Sequence, residues 1–218
     1  MLINIHTHIQ SNSIYEILNK EETIIDTIYS YGLGPWALEQ ISEKYFENPN
    51  NSLEFEKIIK HKNCVAIGEI GIDKNLSIDL NKQTQLLTKQ IFISEKNQLP
   101  IILHCVKSWN EIVEIRNILK PTQPWIFHGF RKTELLESVL KSGVHISIGT
   151  AIIWDKKLQD SIKNIPIDRL FLETDNNLNY TIMDVYAKIC SLKNISLQTL
   201  EEQLYKNTKN TFTKWEIG

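Results

Sequence analysis

Short apolar runs recur along the chain and alternate with segments of helical period. The runs are LINIH (2–6), SIYEILN (13–19), IIDTIYSYGL (24–33), CVAIGEI (64–70), PIILHC (100–105), PWIFHGF (124–130), VHISIG (144–149) and RLFLETD (169–175). Each has the length and the β-branched or aromatic content of a strand. Between them, QTQLLTKQIFISEKNQ (83–98) carries apolar side chains at 86, 87, 91 and 93, the spacing of one helix face. SWNEIVEIRNILK (108–120) opens on Ser108 with Glu111 three places later, the spacing of a capping box. KTELLESVLKSG (132–143) ends on Gly143, a helix C-cap signal.

Strands alternating with helices predict βα units and a parallel sheet, and the unbroken apolar runs predict strands covered on both faces. The expected fold class is α/β, a TIM-type (β/α) barrel forming one domain over residues 1–218. The N-terminal third is expected to be shortened and irregular. Residues 9–12 are too few for a parallel crossover of about a dozen residues, and NKEE (19–22) reads as a hairpin turn between 13–19 and 24–33.

Composition narrows the picture. Of 218 residues, 42% are hydrophobic and 23% charged, as in an ordinary globular chain with a large core. A formal net charge of −2 excludes a global basic field, so any nucleic-acid contact has to be local. Cys64, Cys105 and Cys190 are odd in number and form no CxxC pair, which predicts a reducing compartment. MLINIH lacks the features of a signal peptide, and no apolar run approaches the ~20 residues of a membrane helix. A cytoplasmic protein is expected.

The chemistry lies at the strand ends. LINIHTH closes on His6 and His8, AIGEIGID carries Glu69 and Asp73, and IILHC carries His104. WIFHGF carries His128, and LFLETD carries Glu173 and Asp175. In a TIM-type barrel the C-terminal strand ends share one face, where active sites form. A single strand-end histidine is as often a packing residue as a ligand. Four histidines, a glutamate and an aspartate in the same phase of successive strands favour a metal centre. Imidazole with carboxylate suits Zn²⁺, Mn²⁺, Ni²⁺ or Fe²⁺ better than Mg²⁺. Cys105 alternates away from His104 and is expected to be buried and inert.

In order, HTH, GEIGID, the following glutamine-rich helix, LPIILHC, WIFHGF, ISIG and FLETD resemble the TatD family of metal-dependent deoxyribonucleases, a branch of the amidohydrolase-like barrels. The tail AKICSLKNISLQTLEEQLYKNTKNTF resembles the family's closing helices. The resemblance implies two divalent metal ions, with Zn, Mn or Ni favoured by the ligands and Mg usable. It implies His6, His8, Glu69 and Asp175 on one ion, and Glu69, His104 and His128 on the other. Glu69 would bridge the ions and Asp175 would serve as base and proton shuttle. Glu173 is expected to be a supporting group and not a ligand.

Four positions depart from the family pattern. Gln10 stands where an aspartate is usual, and Gly34 in GLGP replaces a pocket histidine. Val106 takes the place of an arginine after the strand-five histidine, and NNLNYTIMD (176–184) lacks the family's basic stretch. None is an expected metal ligand, so the departures bear on the substrate. Lys107, Arg131 and Lys132 are the candidate phosphate contacts, and Trp36, Trp109 and Trp154 the candidate base-stacking residues. The expected activity is hydrolysis of phosphoester bonds, with single-stranded or 3′-end DNA as leading substrate. The alternatives are a metallohydrolase of a small phosphate ester, carboxyl ester or amide, and a non-catalytic metal-binding scaffold.

Overall fold

A computed structural model describes residues 1–11, 15–20 and 27–216. The strands among them are β1 (Ile3–Thr7), β2 (Tyr15–Lys20), β3 (Tyr29–Tyr31), β4 (Cys64–Asp73), β5 (Ile101–Val106), β6 (Trp125–Phe127), β7 (His145–Ile148) and β8 (Leu170–Leu172). The α-helices are α1 (Pro49–Lys60), α2 (Leu80–Asn97), α3 (Trp109–Leu119), α4 (Leu136–Lys141), α5 (Lys156–Ser161), α6 (Ile182–Lys193) and α7 (Leu197–Thr211). None of the described helices is long and apolar enough to cross a membrane.

Contacts divide the chain into two compact units, Met1–Leu18 with Ile126–Gly218, and Asn19–Trp125. In the first unit β1 pairs in parallel with β2, β6 with β7 and β7 with β8. Tyr186 of α6 locks β1 from behind. Its buried hydroxyl accepts from Ile3 N at 2.9 Å and donates to Ile3 O at 3.1 Å. Asn207 of α7 donates through Nδ2 to the carbonyls of Ile167 and Leu170, holding the start of β8.

The second unit is built on β4, whose first nine residues are buried, as expected of a strand with apolar cover on both faces. It pairs in parallel with β3 and with β5. Gly71 is required where β4 meets β5: a Cβ there would sit 1.7 Å from the His104 carbonyl oxygen. The glutamine-rich helix α2 holds this unit through two buried amides. Gln83 accepts from Asp73 N at 2.9 Å and donates to the carbonyls of Asp73 and Ile78. Gln90 accepts from Leu33 N at 2.7 Å and donates to Leu33 O at 2.9 Å.

Two expectations for the N-terminal third are corrected. The short connection does carry a parallel pair, since β1 and β2 run in parallel with seven residues between Thr7 and Tyr15. At ~3.3 Å per residue, seven residues can span about 23 Å, longer than a five-residue strand, so no helix is needed to return. The NKEE turn is not found at its first two positions, because Asn19 and Lys20 continue β2. Glu21 and Glu22 lie outside the described residues, as do 13–14 and 24–26 of the expected runs.

The capping box at 108–111 also fails to form. Ser108 is the N-cap of α3 but makes no side-chain cap bond; its hydroxyl donates instead to Ile72 O at 2.7 Å. Glu111 pairs with Lys74. Gly143 sits one residue past the C-cap Ser142 with φ +77°, the left-handed position that glycine favours after a helix. Cys105 is half-buried, with Sγ 3.5 Å from the Ser108 hydroxyl.

Candidate metal centre

The HTH segment ends β1, and its partner is the segment just past β8. Thr7 bridges Asp175, His8 N donates to Asp175 O at 3.1 Å, and Asp175 N donates to His6 O at 3.0 Å. Side chains tie the same backbones. Thr7 Oγ1 donates to Asp175 O, and Asn4 Nδ2 donates to Thr174 Oγ1 at 2.8 Å while its Oδ1 accepts from Thr174 N. β8 stops at Leu172, short of the run to 175 expected from the sequence, and Asp175 turns out of line with φ +54°. Aspartate tolerates this left-handed conformation better than most residues.

That turn sets the Asp175 carboxylate against both imidazoles. Oδ1 lies 3.5 Å from His6 Nε2 and 3.3 Å from His8 Nε2. One ligand atom from each of the three residues falls within 4.8 Å of the others. Burial pushes the Asp175 carboxyl up, but hydrogen bonds from His6 and His8, with the charges of His6 and His128, outweigh it. The group is held well below the usual carboxylate range. His6 is fully buried while the side chains of His8 and Asp175 are about 40% exposed, so the cluster opens to solvent on one side. Two imidazoles and an ionised carboxylate, converging and open at one face, fit a divalent metal with three protein ligands.

His128 follows β6, and its ring centroid lies 4.5 Å from that of His6. Fully buried Glu173 holds this corner: Oε1 accepts from Gly129 N at 2.7 Å and lies 3.4 Å from His128 Nδ1. The structure therefore brings His6, His8, His128 and Asp175 together in the first unit, with Glu173 as their support.

In the second unit Glu69 and His104 meet, with His104 Nδ1 2.5 Å from Glu69 Oε1. His104 Nε2 lies 3.3 Å from Asp73 Oδ2, so the ring stands between two carboxylates. Asn19 supports the glutamate through Oδ1, which accepts from Glu69 N at 2.9 Å. Sequence reasoning missed Asn19; its only signal is an amide closing the apolar run of β2. Each cluster is joined to a supporting polar side chain, Glu173 in the first unit and Asn19 in the second.

The candidate substrate contacts fall less uniformly. Lys107 and Lys132 are exposed, Lys107 with φ +54° just past β5. Arg131 is held on its own unit: its guanidinium lies 4.5 Å over the Trp154 ring and 3.2 Å from Asp155 Oδ2. Trp154 is 54% exposed, whereas Trp109 is buried in the core. Trp36 is half-buried, edge to face with His104 at 5.3 Å.

The family model described as TatD related DNase matches residues 1–213. The chain belongs to the TatD family. The chain is 26% identical over 197 residues to an uncharacterized metal-dependent hydrolase, YjjV, of Escherichia coli, covering 83% of this chain and 74% of that one. Its match to the 3′-5′ ssDNA/RNA exonuclease TatD of Erwinia tasmaniensis is 34% identical over 129 residues, 55% of this chain and 48% of the relative. Among solved structures, the E. coli TatD homologue YjjV aligns with a TM-score of 0.75 at 21% identity, over 97% of this chain and 98% of that one. A TatD family hydrolase of Entamoeba histolytica aligns with a TM-score of 0.72 at 23% identity, over 93% of this chain and 76% of that one. The fold is the α/β barrel of TIM type that the alternation of strands and helices predicts.

Proposed function

We propose that this TatD-family chain is a metal-dependent hydrolase of phosphoester bonds, with DNA ends as its leading substrate. It would work as one domain over residues 1–218, in the cytoplasm. His6, His8, His128 and Asp175 of the first unit and Glu69 and His104 of the second are its proposed ligands for two divalent ions. Zn²⁺, Mn²⁺ and Ni²⁺ suit the donors, and Mg²⁺ is usable. The carrying observation is the placement of His6, His8 and Asp175 with their ligand atoms within 4.8 Å of one another.

A bound divalent ion supplies Lewis acidity, lowering the pKa of water and stabilising negative charge on a phosphoryl oxygen. The remaining work falls to the chain. Asp175 offers a carboxylate oxygen to accept the proton of attacking water. Glu173 fixes the backbone after His128 so that this ring keeps one orientation. Exposed Lys107 and Lys132 are the proposed phosphate contacts, and Arg131 joins them only by leaving Asp155.

Two measurements on purified protein test this together: metal content, and cleavage of single-stranded DNA with Mg²⁺ or Mn²⁺ against a chelator control. Cleavage that disappears in Asp175→Asn and His128→Ala is the expected outcome. Protein that neither contains nor takes up a divalent metal would sink the proposal. A second reading, hydrolysis of a small phosphate ester, is favoured by Arg131, which is engaged by Trp154 and Asp155. Turnover of simple phosphate esters without cleavage of DNA selects it.

A further inference from the structure

A cavity of about 550 Å³ opens in the second unit beside His104, and it has a different chemistry from the ion-pair clusters. Its lining includes Asn19, Tyr31, Trp36, Gln40, Tyr45 and Glu54. The volume lies within the range of small-molecule sites. Among the described residues that line it, Glu54 is the sole charge and there is no lysine or arginine. Burial, and after it the nearby Glu54 carboxylate, raises the pKa of the Tyr45 hydroxyl. A phosphate would find no counter-charge among these described residues. An uncharged, flat group with polar edges would find three aromatic rings and two carboxamides.

Two contacts tie the cavity to the proposed chemistry. Asn19, which lines it, accepts from the backbone N–H of Glu69. Trp36, which forms a wall, packs edge to face on His104. The indole takes this place because residue 34 is glycine: a Cβ at Gly34 would lie 2.3 Å from the Trp36 ring. Gln90 then fixes the preceding residue, Leu33, through both backbone groups. The ring is thus held by a built turn and not by chance surface packing.

We infer that this cavity is a nucleobase site, with Trp36 as its stacking surface, the Gln40 carboxamide offering a donor and an acceptor to the base edge, and Asn19, whose Oδ1 is held by Glu69 N, adding its Nδ2 as a donor. Aromatic rings stack bases of any sequence, and carboxamides match the paired donor and acceptor of a base edge. The inference rests on the phosphoester reading of the neighbouring site and adds what the substrate carries beside its phosphate. Base recognition here would leave the scissile phosphate near His104 while the charge-poor cavity excludes the phosphates of other residues.

The test compares two phosphodiesters with the same leaving group, thymidine 5′-(p-nitrophenyl phosphate) and methyl p-nitrophenyl phosphate, on the metal-loaded protein. The base-bearing ester is expected to have a kcat/KM at least about ten-fold higher, and Trp36→Ala and Gln40→Ala to reduce that ratio, Trp36→Ala by about ten-fold. A second readout needs no turnover. Thymidine or adenosine added to chelator-treated protein should quench tryptophan fluorescence, and Trp36→Phe should remove the quench. Equal rates on both esters, with no quench by either nucleoside, would overturn the inference while leaving the hydrolase reading in place. Quenching by nucleosides in a protein that hydrolyses neither ester keeps the base site and overturns the hydrolase reading. Quenching by agmatine but not by nucleosides would assign the cavity to a cation held by Glu54, and would also overturn it.

Discussion

Replacing Gln90 with leucine tests how far one buried amide controls the turn that carries Trp36. Gln90 has no exposed surface, and its two amide atoms satisfy both backbone groups of Leu33, at 2.7 and 2.9 Å. Leucine is close in volume, so Gln90→Leu leaves little cavity and isolates the polar term. A buried donor or acceptor left without its partner costs about 1–3 kcal/mol each. Leu33 is only half-buried, so water recovers part of this and the expected cost is about 2–3 kcal/mol. At ~2.1 cal/mol/K per residue, the unfolding entropy of 218 residues is about 0.46 kcal/mol/K, and the melting temperature should fall by about 4–7 °C. Differential scanning calorimetry measures this directly. The nucleoside quench should weaken in the same variant, because the Leu33–Gly34 turn loses its anchor. A melting shift below about 1 °C would refute the reasoning, showing that water or another group satisfies Leu33 as well as Gln90 does.

Tyr186→Phe should cost about 1–3 kcal/mol, since one hydroxyl serves both backbone groups of Ile3 in the strand that ends in His6; urea denaturation measures it. Glu173→Leu should weaken divalent metal uptake by about 10–100-fold in a competition titration. Glu173→Gln, which can still accept from Gly129 N, should restore most of that loss. Glu56 of α1 pairs with Lys60 one turn along the same helix and with Lys96 of α2, and hydrogen bonds from Lys96 and then Lys60 lower its pKa from 4.5 to about 2. A carboxyl lowered on folding stabilises above its unfolded pKa and loses that contribution as pH falls through the folded value. The melting difference between wild type and Glu56→Gln should therefore be full above pH 4.5 and vanish as pH falls toward about 2. Being solvent-exposed, the pair should also weaken in high salt.

The proposed ligands were legible because each lies at the end of an apolar run, where a polar side chain needs a reason. His104 and His128 stand at β-strand ends for that reason, and Glu69 interrupts a nine-residue buried stretch of β4. What escaped depends on geometry that residue type does not encode. The left-handed turn at Asp175 ends β8 three residues early, yet it is what aims the carboxylate at both imidazoles. Ser108 carries a capping-box spacing but has a closer partner in Ile72 O across β4, whereas the unremarked Thr181 and Asp184 form the full reciprocal cap of α6. The parallel pairing of β1 and β2 was misread because crossover length was judged from helical connections. Extended chain spans a five-residue strand with far fewer residues.

The backbone stitching of Thr7 to Asp175 joins positions 168 apart. Its consequence is one of timing. A chain made from its N-terminus offers His6 and His8 first and waits through most of synthesis for the aspartate that completes their cluster. Until then the two imidazoles lie at the end of a strand paired with β2 alone, without the carboxylate that joins them. Assembly of the proposed centre therefore requires β8 to have arrived beside β1.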